Sequence, residues 1–489
     1  MKTLKQILLA ASLAAPSFPS AAQVEEAWVA RYNGGFSNRT HVPVAMLLDS
    51  AGNACVAGSS QNAVGVYDYV VLRYAPTGAQ LPTVRYSSTN DLNWTVNDLA
   101  LDQAGNAYVT GTGGTAKLGT NGAVVWAAPY AGNGLATDAD ADIYVTGFST
   151  NYYATAKLDP SGSNLWVRTY VSPYTSGLWS NVSQKVAVDA SGGVFVAGWE
   201  TYGPPFWCDS QRLSLCRYAE PSMLKYDSSG TCLWTNAYAG CLSWGRTKAL
   251  IPDGQGGAYV AASNNQYLEY LVTRLSASGQ TTWSSDPSSL NLVSAAVGDA
   301  FVYATGVAWC TIKLAATNGQ VIWTPSERSP GQASAIAVDP AGRLCVAGVQ
   351  FGPTNGTDSA LIRYDPANGN QLWVKRYDGP AHGDDGAVAM AVASDGSIYV
   401  TGFSANTNGG TDIFVIKYVP SATIQRRSDG SMRLQFSGQP GQTCGLEAST
   451  NFASWATLGL AEADTNGLFQ FDDTNAPNFP QRMYRWHYP

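Results

Sequence analysis

A ten-residue pattern returns eight times along this chain, and any fold proposed for it must first explain that recurrence. DQAGNAYVTG at Asp102–Gly111 is answered by DSAGNACVAG from Asp49, DADADIYVTG from Asp138, DASGGVFVAG from Asp189 and DGQGGAYVAA from Asp253. DPAGRLCVAG from Asp339, ASDGSIYVTG from Ala393 and a weaker VGDAFVYATG from Val297 complete the set. Recurrence at a near-constant period marks an array whose units pack mainly on their neighbours.

Within one unit, short alternating runs are separated by turn residues. Strand A is expected at Asp98–Leu101, a Gly-Asn turn follows, and strand B covers Ala107–Gly111. Strand C begins near Thr115, and an Asn-Gly turn leads into strand D, which ends at Tyr130. Four antiparallel strands per unit make a propeller blade. Gly105 supplies the positive φ of the A–B turn, and Gly111 lets inner strands approach closely.

The second half of the unit repeats as well, in AKLDPSGSNLWVRTY from Ala156, LKYDSSGTCLWTNAY from Leu224, TRLSASGQTTWSSD from Thr273, IKLAATNGQVIWTPS from Ile312 and IRYDPANGNQLWVKRY from Ile362. Each outer strand carries one tryptophan, Trp126, Trp166, Trp234, Trp283, Trp323 or Trp373, and packing is the expected role of these rings. The last unit has strand B at Ile398–Gly402 and strand C from Phe414, but no strand D. WVARY, Trp28–Tyr32, is a strand D with no blade before it. The ends should therefore pair and close the ring. The expectation is an all-β, eight-bladed β-propeller closed by an N-terminal strand. The count falls to seven if the first unit, whose Leu81–Tyr86 lacks a tryptophan, or the degenerate unit near Gly298 merges with a neighbour.

Composition agrees with this reading. Charged residues are 13% of the 489, about half the usual share, while there are 50 glycines and 11% aromatics. A net charge of −7 removes the attraction on which nucleic-acid or anionic-lipid binding depends. MKTLKQILLAASLAAPSFPSAAQ has the basic start, apolar run and small residues at Ser20 and Ala22 of a secretory signal over 1–22. No later apolar run is long enough for a membrane span. A secreted protein is expected, extracellular, at the cell surface or in the periplasm.

The D-x-x-G-N-x-Y-V-T-G core followed by K-L-D-x-x-G and Trp, best at Asp102–Gly111 and Lys157–Trp166, resembles the bacterial SBBP-type β-propeller repeats over most of 24–420. That resemblance implies an extracytoplasmic binding or surface protein. DPANGNQLW is also similar to the repeat of quinoprotein propellers, a likeness of blade architecture that does not establish a cofactor. The propeller is expected over 23–420. From 421 to 489 the period stops, and LQFSGQPGQTCGLEASTNFASWATL, GLFQFDD and RMYRW resemble the small C-terminal β-sandwich of secreted bacterial proteins. Leu446, Trp455, Leu458, Phe469, Phe471 and Tyr484 would form its core, with a turn at Ser437–Gly441.

Candidate chemistry is sparse. His41, His382 and His487 stand apart, with none of the spacings zinc requires, and no nucleophile elbow or phosphate loop occurs. Asp138, Asp140 and Asp142 can present oxygens to Ca²⁺, as can Asp384 with Asp385 beside His382, although turn aspartates ordinarily bond backbone amides. No other cofactor is expected. Cys55, Cys310, Cys345 and Cys444 fall on strands, where buried apolar packing is the ordinary role. Cys208, Cys216, Cys232 and Cys241 fall in or near a long insertion. Cys208 with Cys216 is the preferred disulfide, and Cys241 remains an alternative partner. Quinoprotein dehydrogenases carry an adjacent cysteine pair, which this chain lacks.

Short turns join A to B and C to D, so both lie at one end of the ring, and every variable connection lies at the other. These are 32–43, 87–96, 171–184, 199–222, 239–247 and 351–359. They bring Trp94, Trp179, Trp199, Tyr202, Phe206, Trp207 and Trp244 to that end, with Arg212 and Arg217 nearby. Such rings either pack the loops or contact a sugar or peptide. The expected function is non-catalytic recognition of a polysaccharide or protein through this face. The alternative is an extracytoplasmic enzyme, quinoprotein or polysaccharide-degrading, on the same scaffold.

Overall fold

The computed structural model describes residues 24–487 except 37, 88–91, 148, 150–151, 172–181, 208–214, 238–244, 265–268, 286–291, 299, 325–329, 340–341, 353–355, 421–422, 438–442, 452 and 465–467. For 200–207, 215–220, 237, 245–246, 263–264, 269–270, 292, 423, 437, 468 and 487 it describes the backbone alone. Among the described residues the chain is strands and turns, with one 3₁₀ turn at Ala476–Asn478 and no α-helix.

Eight four-stranded antiparallel sheets follow one another in the order A-B-C-D. Sheet 1 runs from His41 to Tyr86, sheet 2 from Val96 to Ala128, sheet 3 from Gly134 to Tyr170 and sheet 4 from Val182 to Ala237. Sheet 5 runs from Gly245 to Ser285, sheet 6 from Leu292 to Trp323 and sheet 7 from Gly331 to Tyr377. Sheet 8 combines Asp385–Pro420 with the N-terminal strand Val24–Tyr32. The A strands of successive sheets lie side by side, and that of sheet 8 lies beside that of sheet 1, so the array is a closed propeller. The closing strand pairs from Val24↔Pro420 to Tyr32↔Ile413. It begins four residues before the expected Trp28, because Val24 also enters the core and is 2% exposed.

Both weak units form sheets of their own. In sheet 6 the strand Phe301–Gly306 pairs with both Leu292–Val297 and Thr311–Ala315. In sheet 1 the short strand D, Val84–Tyr86, buries Val84, 2% exposed, and Pro82 just before it lies over Gly122 of the next sheet's C–D turn, where other sheets have tryptophan.

Burial falls from the ring's interior to its rim. In sheet 2 all of strand B, Ala107–Gly111, is buried, whereas strand D, Val124–Ala128, alternates between exposed and half-buried. Gly111 is obligatory, since a Cβ there would stand 2.0 Å from the Thr95 carbonyl of strand A. Strand A itself carries a bulge at the same place in seven sheets, between residues such as Val96 and Asp98. A bulge turns the strand and re-aims its side chains.

The rim tryptophans are latches between sheets. The indole N–H of Trp28, Trp126, Trp166, Trp234, Trp283 and Trp323 donates to the carbonyl of Pro76, Pro160, Ser228, Ala277, Ala316 and Pro366, at 2.9–3.1 Å. Each acceptor lies in the C–D turn of the next sheet. The ring lies over that turn's glycine: a Cβ on Gly319 would meet Trp283 at 2.4 Å, and Gly319 has φ +70°. The packing role expected for these rings is therefore joined to a directed hydrogen bond.

Residues 423–487 form two three-stranded sheets, one of Thr423–Arg426, Met432–Ser437 and Leu468–Asp473, the other of Ala456–Glu462, Thr443–Ser449 and Met483–His487. Leu446, Phe469 and Tyr484 sit in one core drawn from both sheets, with Leu458 and Phe471 packed against it. Trp455 lies outside that cluster and carries the Arg485 guanidinium 4.2 Å over its ring. The expected turn at 437–441 lies outside the described residues after Ser437.

Candidate functional site

At the turn end of the ring, the repeated polar residues are occupied by the scaffold itself. Asp102 Oδ1 accepts the Asn106 amide at 2.8 Å, and its Oδ2 accepts from the Asn106 side chain and the Tyr108 hydroxyl. Lys117 ion-pairs with the same carboxylate at 3.4 Å and lies 5.0 Å over the Tyr108 ring. Burial pushes the Asp102 carboxyl up, but these donors and the Lys117 charge outweigh it and hold the group below the usual carboxylate range. Sheet 3 repeats the arrangement with Asp138, Tyr144 and Lys157.

Of the expected Ca²⁺ ligands, Asp138 and Asp142 belong to this ladder, Asp140 lies in the same turn, and Asp384 and Asp385 lie at the loop end. Asp138 accepts the amides of Asp140 and Asp142 and the Tyr144 hydroxyl, and Lys157 stands 3.4 Å from Asp138 and 2.8 Å from Asp142. The oxygens a cation would need face protein donors. Asp384 accepts from the Thr357 amide and hydroxyl, and His382 pairs with Asp378 at 2.8 Å. Among the described residues no three His, Cys, Asp or Glu groups converge as metal ligands.

Sheets 1 and 7 vary the ladder in a correlated way. Cys55 and Cys345 replace the aromatic ring, and Arg73 and Arg363 replace lysine, whereas sheet 5 keeps a ring, Tyr259, under Arg274. Arg363 reaches Asp339 at 3.3 Å and the Cys345 sulfur at 3.2 Å. Burial pushes the Cys55 thiol up to about 12, so it is an inert core group. Cys310 and Cys444 are buried too, while the Cys232 thiol is exposed. Cys208 and Cys241 lie outside the described residues, and only the backbone of Cys216 is described.

The opposite, loop end differs from sheet to sheet. Sheets 7, 8 and 1, neighbours in the ring, each pair an arginine of strand D with an aspartate of strand C: Arg376–Asp358 at 3.5 Å, Arg31–Asp412 at 3.0 Å and Arg85–Asp68 at 2.6 Å. Arg31 also donates to the Tyr377 hydroxyl of sheet 7 and to the Ala405 carbonyl, tying the closing strand to two neighbours. At the start of strand A in sheet 1, His41 Nδ1 lies 2.7 Å from Ser60 Oγ and Nε2 3.3 Å from the Phe36 carbonyl. A carbonyl only accepts, so Nε2 carries the proton and Ser60 donates to Nδ1. Although a histidine–serine pair suggests a base and a nucleophile, both residues are 0% exposed and Arg85 also donates to Ser60. The pair is closed to any substrate.

Between sheets 2 and 5, polar side chains of strand A reach the next sheet: Asn97 donates to the Gly132 carbonyl, Asn133 to Ser183, and Gln184 accepts the Thr247 amide. Lys185 of sheet 4 reaches Asp98 of sheet 2 at 3.5 Å, past strand A of sheet 3. These contacts knit the inner rim.

The expected binding aromatics separate into three groups. Trp94 is half-buried, 5.0 Å from the Tyr86 ring and 5.8 Å from that of Tyr69. Trp199 is 4% exposed and packs with Ala262. Trp94 therefore packs its connection onto sheet 1, and Trp199, on strand B of sheet 4, packs against Ala262 of sheet 5. Trp179, Trp244 and Arg212 lie outside the described residues. Tyr202, Phe206 and Trp207 lie on one long hairpin, Val194–Trp207 paired with Leu215–Tyr226, in which Tyr202 faces Tyr218 across the ladder and Trp207 faces Leu215. Among the described residues, strands A and D flank this hairpin as far as Trp199 and Ser222. Beyond them, among the described residues, it is a two-stranded ribbon. Its strand of 14 residues exceeds the 8 of strand B in sheet 1. That difference is about 20 Å of reach.

The Arg–Asp pairs of sheets 7, 8 and 1 were not among the residues expected from sequence. Their signal is the Arg-Tyr pair in WVARY, TVRY and WVKRY, together with the aspartate in YDYVV, TDSAL and TDIFV.

Comparison with known proteins agrees with the fold. Residues 310–411 match the family model described as outer membrane protein assembly factor BamB. The structure is similar to that of BamB from Moraxella catarrhalis, with TM-score 0.52 and 12% identity over 81% of this chain and 100% of that one. It is also similar to the C-terminal WD40 domain of Sif2, with TM-score 0.55 and 12% identity over 83% and 100%. A europium-containing methanol dehydrogenase gives TM-score 0.52 and 12% identity over 80% and 93%. A search of curated proteins found no match.

Proposed function

We propose that this chain is an extracytoplasmic, non-catalytic binding protein whose propeller presents its loop end to a protein or polysaccharide. The projecting ribbon beyond Trp199 carries the proposal. A two-stranded ribbon is marginally stable in water alone, so one that extends from a rigid body gains from being covered by a partner. Tyr202, Phe206 and Trp207 are the residues assigned to contact, and a Cys208–Cys216 disulfide would brace the ribbon's tip. Likeness to BamB, an assembly factor by its description, favours a protein partner over a sugar. The enzymatic alternative has no comparable supporting arrangement among the described residues.

The same reading divides the chain into a leader over 1–22, an SBBP-type propeller over 23–420 and a C-terminal β-sandwich over 421–489, in a secreted protein. The test replaces residues 201–219 with an Asn-Gly turn, which can join the paired Glu200 and Glu220 directly. Binding of the full protein to envelope proteins and polysaccharides is then compared with that of the shortened form. Loss of binding in a folded variant supports the proposal, and undiminished binding overturns it.

A further inference from the structure

The closing sheet is flanked by two seams that occupy equivalent places in the repeat and carry opposite titratable groups. His41 and Asp385 are each the first residue of strand A, in sheets 1 and 8. Each pairs across the ladder with a serine, Ser60 or Ser404, and each is 0% exposed. Their hydrogen bonding differs.

Asp385 Oδ2 accepts the Gly379 amide at 2.7 Å, but Oδ1 accepts no hydrogen bond. The Ser404 hydroxyl opposite stands close to the carboxyl and favours the charged form, but burial outweighs it. Three polar atoms crowd this point: a Cβ on Gly379 would lie 2.1 Å from Ser404 Oγ, 2.7 Å from Asp385 Oδ1 and 3.1 Å from Arg31 Nη1. Arg31 from the closing strand faces the carboxyl, but its guanidinium is already engaged by Asp412, Tyr377 and the Ala405 carbonyl. Tyr377, Asp378 and, beyond it, His382 approach from the strand and connection before Asp385, and Asp412 from strand C. An anion here is buried with Oδ1 outside good hydrogen-bond geometry, and burial outweighs the Gly379, Ser404 and Arg31 contributions.

At His41 the neutral ring is fully served by Ser60 and Phe36, and Arg85 stands beside it, paired with Asp68. Asp412 approaches from sheet 8, and the Tyr32 ring lies 5.9 Å away. A second proton on the ring would have to point at Ser60 Oγ, which already accepts from Arg85, and would place two cations together. Here the neutral form is preferred.

We propose that the two seams are a matched pair that responds to pH in opposite directions, acid tightening the Asp385 seam and loosening the His41 seam. The shifts agree in sign. Burial raises the Asp385 carboxyl above its ordinary value, so its contribution is fully present below that value and is lost as pH rises through the raised one. Burial lowers the His41 imidazole, so its contribution is fully present above about 6.5 and is lost as pH falls below. Over the mildly acidic range the two contributions oppose each other, and the closing strand keeps its grip while the looser flank changes sides.

The test follows amide exchange in Val24–Tyr32 and its two flanks from about pH 4 to about pH 8 in the full protein, in Asp385→Asn and in His41→Gln. The Asp385→Asn protein should open more readily as pH falls, and the His41→Gln protein less readily. Each should change by up to about tenfold per pH unit relative to the parent. Parallel pH profiles in all three proteins overturn the proposal. Should either variant fail to fold, the parent alone decides it. The infrared carbonyl stretch of a protonated carboxyl should persist above the ordinary aspartate range, and nitrogen NMR should keep His41 neutral below 6.5. Ordinary titration of both groups overturns it.

Discussion

The two ends of the ring solve the same packing problem by different means. At the turn end one set of groups serves every sheet with small variations: an aspartate in the A–B turn, a ring on strand B, a cation on strand C and a rim tryptophan on the next sheet's glycine. At the loop end the contacts differ from sheet to sheet: Arg–Asp pairs within sheets 7, 8 and 1, amide contacts in sheets 2 to 5, and Trp94 against Tyr86. The turn end tolerates repetition because its connections are short and alike. The loop end cannot repeat, because the lengths it must accommodate vary from a tight turn to a projecting ribbon.

The contrast predicts where stability resides. Trp283 is 8% exposed, donates to Ala316 at 3.0 Å and covers Gly319. Trp283→Ala removes a buried ring and one partner of an inter-sheet bond, so it should cost about 3–5 kcal/mol in urea unfolding. A cost below about 1 kcal/mol would mean that the latch is only decoration.

The next effect is electrostatic. Asp102→Asn keeps the shape but leaves Lys117 without its charge partner in a largely buried place, with an expected cost of about 1–3 kcal/mol. Because the Asp102 carboxyl is held low, its contribution is present above the ordinary carboxylate range and is lost as pH falls through the folded value. The difference between parent and variant should therefore shrink in acid. A pH-independent difference would show that hydrogen bonding and not charge holds the turn.

A smaller effect tests the correlated exchange in sheets 1 and 7. Cys55→Tyr alone overfills the space beside Arg73, whereas Cys55→Tyr with Arg73→Lys restores the pairing used in sheet 2. The double-mutant cycle should show a favourable coupling of about 0.5–3 kcal/mol. Additive costs would mean that ring and cation vary independently.

The same contrast explains what was legible in the sequence. The turn-end residues recur, so periodicity places Asp102, Gly105 and Trp126 before any coordinates exist, and the unpaired Trp28 strand gives the closure. Trp94 and Trp199 were equally visible as aromatic, but nothing local says whether a ring on a long connection turns inward. That depends on which sheet lies beneath, Tyr69 and Tyr86 for one and Ala262 for the other. The seam roles of His41 and Asp385 were not legible because charges from neighbouring sheets surround them: Arg31 of the closing strand faces Asp385, and Asp412 of sheet 8 approaches His41, only once the ring is closed. A repeat announces what each unit shares, whereas a seam is a relation between units.

The smallest stability effect is expected at the loop end. Phe206 and Trp207 lie beyond the reach of strands A and D, where the described ladder has only two strands. Among the described residues no strand of another sheet pairs with that part of the hairpin. Phe206→Ala with Trp207→Ala should therefore move the unfolding midpoint by less than about 0.5 kcal/mol while abolishing any binding that the ribbon supports. Calorimetry and a binding assay on one sample read both quantities. A large loss of stability would make the ribbon part of the scaffold, like the rim tryptophans, and would remove the distinction between an end that holds the ring and an end that reaches out from it.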